Sequence, residues 1–128
     1  MVRPEPEAST ISSGPLLLER SCFVSLYKDN ALRGCVGNLR ATEPLWRAVL
    51  ESARAAASRD PRFPRVQPEE VNRIRIEISI LGEAHPIHGA AADELLAQIV
   101  PGKHGVILRL SGSMATFLPQ VWEQIPIK

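Results

Sequence analysis

The sequence predicts an α+β fold: a mixed or antiparallel sheet with two or three packed helices. Three observations carry the expectation. Two hairpin patterns lie far apart in the chain, a strand of strict alternation lies between them, and one long helical stripe follows the first hairpin. Short strands interleaved with single helices are the layout of an α+β layer.

The elements follow in order. Cys22 to Tyr27 is rich in β-branched and aromatic residues, and Ala31 to Val36 resumes the extended pattern. Between them Asp29-Asn30 are residue types that tolerate left-handed turn geometry, so a hairpin is expected. Thr42 to Ser58 reads as a helix, with Thr42 as cap and Pro44 in the first turn. Its stripe of Leu45, Val49, Ala53 and Ala56 narrows to alanine, which lets a helix approach a sheet closely. Arg62 to Glu70 is a loop. Ile74, Ile76, Ile78 and Ile80 then alternate with Arg75, Glu77 and Ser79, a strand with one apolar and one polar face. The alanine-rich helix is the expected cover for the isoleucines. Ala91 to Val100 reads as a short helix, and Gly105 to Leu110 with Met114 to Leu118 as a second hairpin around Ser111-Gly112-Ser113.

Composition bounds the class. The chain has 128 residues and a net charge of +1. That length suggests one domain, expected over 15–128 behind a flexible tail at 1–14 that is rich in Pro, Glu and Ser. No apolar run is long enough to cross a bilayer, so no membrane partner is expected. Two cysteines without a secretory leader point to a reducing, cytoplasmic compartment, although a Cys22–Cys35 bridge stays open. Twelve arginines against three lysines suit phosphate recognition. They are scattered and balanced by acids, however, so weak RNA binding is kept only as a minor alternative. His85-Pro86-Ile87-His88 lacks the companion ligands of a zinc site, and no metal is expected.

The densest unusual segment is Leu32-Arg33-Gly34-Cys35-Val36-Gly37-Asn38. A guanidinium and exposed amide hydrogens near Cys35 suit a stabilised thiolate. The same backbone also suits an anion cradle with Arg33 as clamp. A buried structural cysteine beside two close backbone approaches is the plainer alternative.

This segment, continued by Leu39, resembles the signature of the AMMECR domain family. Phe23 to Leu26, Ala55 to Pro64, Glu77 to Leu81, Gly102 to Val106 and Thr116 to Trp122 resemble the family's further motifs in the same order. The resemblance implies an α+β fold without an established reaction. It also implies a place in a modification pathway beside Memo-like or radical-SAM proteins. Family members carry a helix before the first strand and another after the Trp122 segment. Met1 to Gly14 does not supply the first, so the chain reads as a short member, its exposed apolar surface covered by a partner or a second copy (a homo-oligomer).

The positions carried over are Arg33, Gly34, Cys35, Gly37, Asp60, Arg62, Phe63, Glu77, Ser79 and His104. If the polar face of the central strand borders the first hairpin, Arg33, Cys35, Glu77 and His104 share one cleft. Cys35 would be the nucleophile, His104 the acid or base, Glu77 an orienting group and Arg33 an anion clamp. Gly34, Gly37, Asp60, Arg62 and Ser79 would complete the binding surface. Each has a plainer alternative: His104 as a solvated loop residue, Glu77 paired with Arg75, and Asp60 paired with Arg62 or capping the helix. No cofactor is implied by any residue pattern. A non-catalytic protein-interaction module is the alternative function.

Overall fold

The computed structural model describes residues 14–123. These form two compact units, one ending at Glu83 and the other beginning at Ala84. The tail expected at 1–14 falls, apart from Gly14, outside the described residues.

The first unit is a three-stranded antiparallel sheet with one helix on it. β1 (Cys22–Lys28) lies at the centre, flanked by β2 (Ala31–Gly37) and β3 (Ile74–Ile80). The β1–β2 turn is the one its residues predict, with Asp29 and Asn30 both at positive φ. A register shift opposite Leu26/Tyr27 pairs Leu26 with Gly34 and Tyr27 with Leu32. Arg33 is therefore the extra residue of a bulge, a device that re-aims a side chain.

α1 spans Leu45–Ser58, three residues shorter at its start than its sequence predicts. Thr42 does not cap it. Leu45 donates its N–H to the Leu18 carbonyl, and the Pro44 carbonyl accepts from Arg47 and Ala48. The chain thus stays extended through Pro44 (ψ 141°), and winding starts only beyond it. Leu45, Ala48, Ser52, Ala55 and Ala56 are buried, and Val49, Ala53 and Ala57 pack beside them.

The helix does not cover the isoleucine face as expected. It lies over β1 and β2, where Val24, Leu26 and Ala56 form the core, and Ile74 reaches that cluster from β3. Ile76, Ile78 and Ile80 remain 59%, 47% and 57% exposed. The cause is a close approach at Gly34. A methyl group there would lie 2.2 Å from the Ala56 carbonyl oxygen, so the helix settles against β2. β3 is left on the far side of β1.

The second unit holds α2 (Ala92–Ala97) and a hairpin of β4 (Val106–Leu110) and β5 (Ser113–Phe117). α2 stops short of the expected Val100. Gln98 and Ile99 donate their N–H groups back to Leu95 and Leu96, the tighter three-residue winding that ends a helix. The hairpin turns through Ser111 and Gly112, both at positive φ.

Candidate functional site

Cys35 sits mid-strand on β2, half-buried, directly opposite Ser25 of β1. Ser25 in turn lies opposite Glu77 of β3. Residues opposite one another in a ladder share a face, so Cys35, Ser25 and Glu77 form one row across the sheet. Phe23 lies between Gly37 and Ser79 in the next row. The polar face of β3 therefore does border the Cys35 hairpin, with β1 in between. Cys35 and Glu77 stand two strand spacings apart, about 10 Å between Cα atoms.

Ser25 was not singled out by the sequence, yet it makes the hydrogen bond to the thiol. It is 3% exposed, and its hydroxyl donates to Cys35 Sγ at 3.2 Å. Its period-two position between Phe23 and Tyr27 marks the polar face; only the register shows that it meets Cys35.

The backbone of Cys35 is held from its other side. Its N–H donates to Asp60 Oδ2 at 2.9 Å, and its carbonyl accepts from Arg62 Nη2 at 3.2 Å. Asp60 and Arg62 are themselves joined in a two-pronged ion pair, Arg62 Nε to Oδ1 at 3.0 Å and Nη2 to Oδ2 at 2.7 Å. This pair occupies the place of a neighbouring strand along β2. The Arg62 hydrogen bond and two backbone N–H groups hold the Asp60 carboxyl far below the usual carboxylate range. Arg62 has its proton affinity raised, chiefly by Asp60. Its side chain is otherwise open to solvent and lies beside the Phe63 ring.

Arg33 does clamp a carboxylate, but that of Glu70. Its Nε and Nη2 each reach Glu70 at 3.0 Å, while Nη1 and Nη2 also donate to the Pro64 and Arg65 carbonyls. Lys28 joins the same carboxylate, and so does the Gln67 N–H at 2.8 Å. Four donors hold Glu70 in its charged form, lowering its pKa to about 2. Glu70 too escaped the sequence reading. The reach back from Glu70 to Gln67, three residues earlier, is half of a capping box and was its available signal.

The glycines have steric roles. Gly34 admits Ala56, and a methyl on Gly37 would lie 2.3 Å from the Cys22 carbonyl oxygen and 2.4 Å from the Phe23 ring. Cys22 lies on the helix-covered face with Leu45 and Ala48, whereas Cys35 lies on the other. Both thiols are free, and the sheet itself separates them. Burial pushes the Cys22 thiol up.

Glu77 accepts from Arg75 at 3.4 Å, the pairing weighed as its plainer role. His104 belongs to the second unit. There its Nδ1 accepts the Val100 N–H at 3.1 Å, and its carbonyl accepts from buried Trp122 Nε1 at 2.8 Å. Among the described residues no group of three or more His, Cys, Asp or Glu is placed to hold a metal. No described helix is long and apolar enough to cross a membrane.

An antiparallel hairpin sheet with a helix docked on the first glycine, Gly34, of an Arg-Gly-Cys-Val-Gly strand defines the class. Comparison with known proteins places it. The AMMECR1 family model matches residues 2–126, and the chain belongs to that family. It is similar to a protein of Methanosarcina mazei, 40% identical over 119 residues, covering 92% of this chain and 59% of that one. A protein of Methanocaldococcus jannaschii is 40% identical over 105 residues, covering 80% and 52%. The chain thus spans a little over half the length of these curated relatives. A crystal structure of an uncharacterised protein from Pyrococcus horikoshii has the same fold. Its TM-score is 0.85 at 30% identity, covering 97% of this chain and 62% of that one.

Proposed function

We propose that the polar face of the sheet carries a cysteine-dependent site centred on Cys35. The observation that supports it most directly is the Ser25 hydroxyl, buried and donating to Cys35 Sγ. A donor aimed at sulfur stabilises negative charge there, and the solvent-exposed Arg62 cation beside the same residue suits an anionic substrate. Glu77, in line beyond Ser25, is the orienting group, and Ser79 extends the polar face. His104, expected as the acid–base residue, lies in the second unit, and the proposal for this face stands without it. Two free thiols fit a reducing, cytoplasmic setting. The wider role, a step in a modification pathway with Memo-like or radical-SAM partners, rests on the family resemblance.

The test compares iodoacetamide alkylation of Cys35 in the folded chain and in the urea-unfolded chain at the same pH. Faster reaction when folded, reduced several-fold by Ser25→Ala, supports the nucleophile. A folded-state rate equal to or below the unfolded one removes it. A second reading, a non-catalytic interaction module, is favoured by the glycines. Gly34 and Gly37 are both accounted for by neighbouring backbone and ring atoms, without a ligand.

A further inference from the structure

The Asp60–Arg62 pair does more than take the place of a strand beside β2. The Asp60 carboxylate is buried, 6% exposed, and both of its oxygens are occupied. Oδ1 accepts from the Arg62 N–H at 3.1 Å and from Nε at 3.0 Å. Oδ2 accepts from Nη2 at 2.7 Å and from the Cys35 N–H at 2.9 Å. Nη2 also donates to the Cys35 carbonyl at 3.2 Å.

A guanidinium carries its five hydrogens in a fixed planar fork. These contacts engage the hydrogen on Nε and both on Nη2, which leaves the pair on Nη1. Nη1 has no partner among the described residues, and the side chain is 56% exposed. Arg62 Cζ lies 5.4 Å from the Phe63 ring centroid, a further restraint on the guanidinium. Asp60 is the largest cause of the raised Arg62 proton affinity, and the Cys35 side chain adds to it, so the cation lies within electrostatic reach of the sulfur. The half-buried thiol thus has a hydroxyl donor from β1 and a cation from the outer side of β2.

We propose that Arg62, held by Asp60, is the specificity-determining residue of the Cys35 site and selects substrates that carry a carboxylate. The carboxylate is received by Nη1 while the reacting carbon meets Sγ. The ion pair is a dipole with its positive end outward. Its buried Asp60 charge favours a singly charged group over a phosphate dianion, and Nη2 is already engaged, so the two-nitrogen fork that suits phosphate is closed. This selection rests on the Cys35 reading and adds the substrate class to it.

The test alkylates Cys35 with two probes of nearly the same shape, anionic iodoacetate and neutral iodoacetamide. With either one, the thiolate forms a carbon–sulfur bond as the carbon–iodine bond breaks, and iodide leaves with its electron pair. Peptide mass spectrometry reads both rates at Cys35 in the folded and the urea-unfolded chain. A more reactive thiolate speeds both probes, so only recognition of the carboxylate moves the ratio of iodoacetate to iodoacetamide. Folding should raise that ratio at least about threefold, against the roughly fivefold effect of a full unit charge at about 4 Å in water. Asp60→Asn combined with Arg62→Gln removes both charges together and should return the ratio to its unfolded value. The wild-type chain supplies a check that needs no variant. Between about 0.01 M and about 1 M salt the Debye length shrinks from about 30 Å to about 3 Å, and the raised ratio should fall back. A ratio unchanged by folding overturns carboxylate selection, even where iodoacetamide marks an activated thiol. So does a raised ratio that the double substitution or salt leaves intact. A raised ratio with slow iodoacetamide reaction keeps Arg62 as the anion-binding residue and removes the nucleophile. A folded thiol that reacts with neither probe overturns both readings.

Discussion

Gly34 and Ala56 meet so closely that the helix carbonyl occupies the space where a side chain on β2 would begin. A methyl group on Gly34 would lie only 2.2 Å from that carbonyl oxygen, which leaves no room for even the smallest substitution. This one contact sets where α1 crosses the sheet, which strands it covers and which it leaves bare.

Gly34→Ala should accordingly destabilise the first unit by about 3 kcal/mol, the upper end of the usual overpacking cost, because the obstacle is backbone. The midpoint of urea denaturation measures it. A loss under about 0.5 kcal/mol, the ordinary range for an innocuous surface change, would mean that the helix can shift and that the contact does not position it.

Acid should release the Glu70 hub. The folded pKa of about 2 lies below the unfolded value of roughly 4.3. A depressed carboxyl stabilises the fold fully above the unfolded value, and the stabilisation disappears as pH falls through the folded one. Wild type should therefore lose urea resistance between about pH 5 and pH 2. Asp60, also depressed, adds to that loss in the same direction. Glu70→Gln should be less stable than wild type at pH 7, with a gap that closes towards pH 2. A gap that stays constant with pH would show that the Arg33 and Lys28 pairings contribute nothing through charge.

The two cysteines should separate cleanly under alkylation. Cys22 is 1% exposed, and burial pushes its thiol up, whereas Cys35 is half-buried on the opposite face. Mass spectrometry should find one adduct on the folded chain, at Cys35, and two after unfolding. Modification of Cys22 at a comparable rate in the folded state would contradict the position of the helix over it.

Sequence alone determined the local elements, because each depends on neighbours a few residues away. The alternation of Ile74 to Ile80 could be nothing but a strand, and Asp29-Asn30 could supply the positive φ that the hairpin needs. The motif at Arg33 to Gly37 identified the family and the segment that matters. Tertiary structure decided what those residues touch. The bulge and the Glu70 carboxylate turned Arg33 from an expected anion clamp at Cys35 into a tie across 37 residues of chain. Register put Ser25 against the thiol, and the Asp60–Arg62 pair became the missing strand beside Cys35. The isoleucine face looked like core from its period, yet period reports only that residues share a face. Whether another layer covers that face depends on where the helix lands, and the helix lands where Gly34 lets it approach.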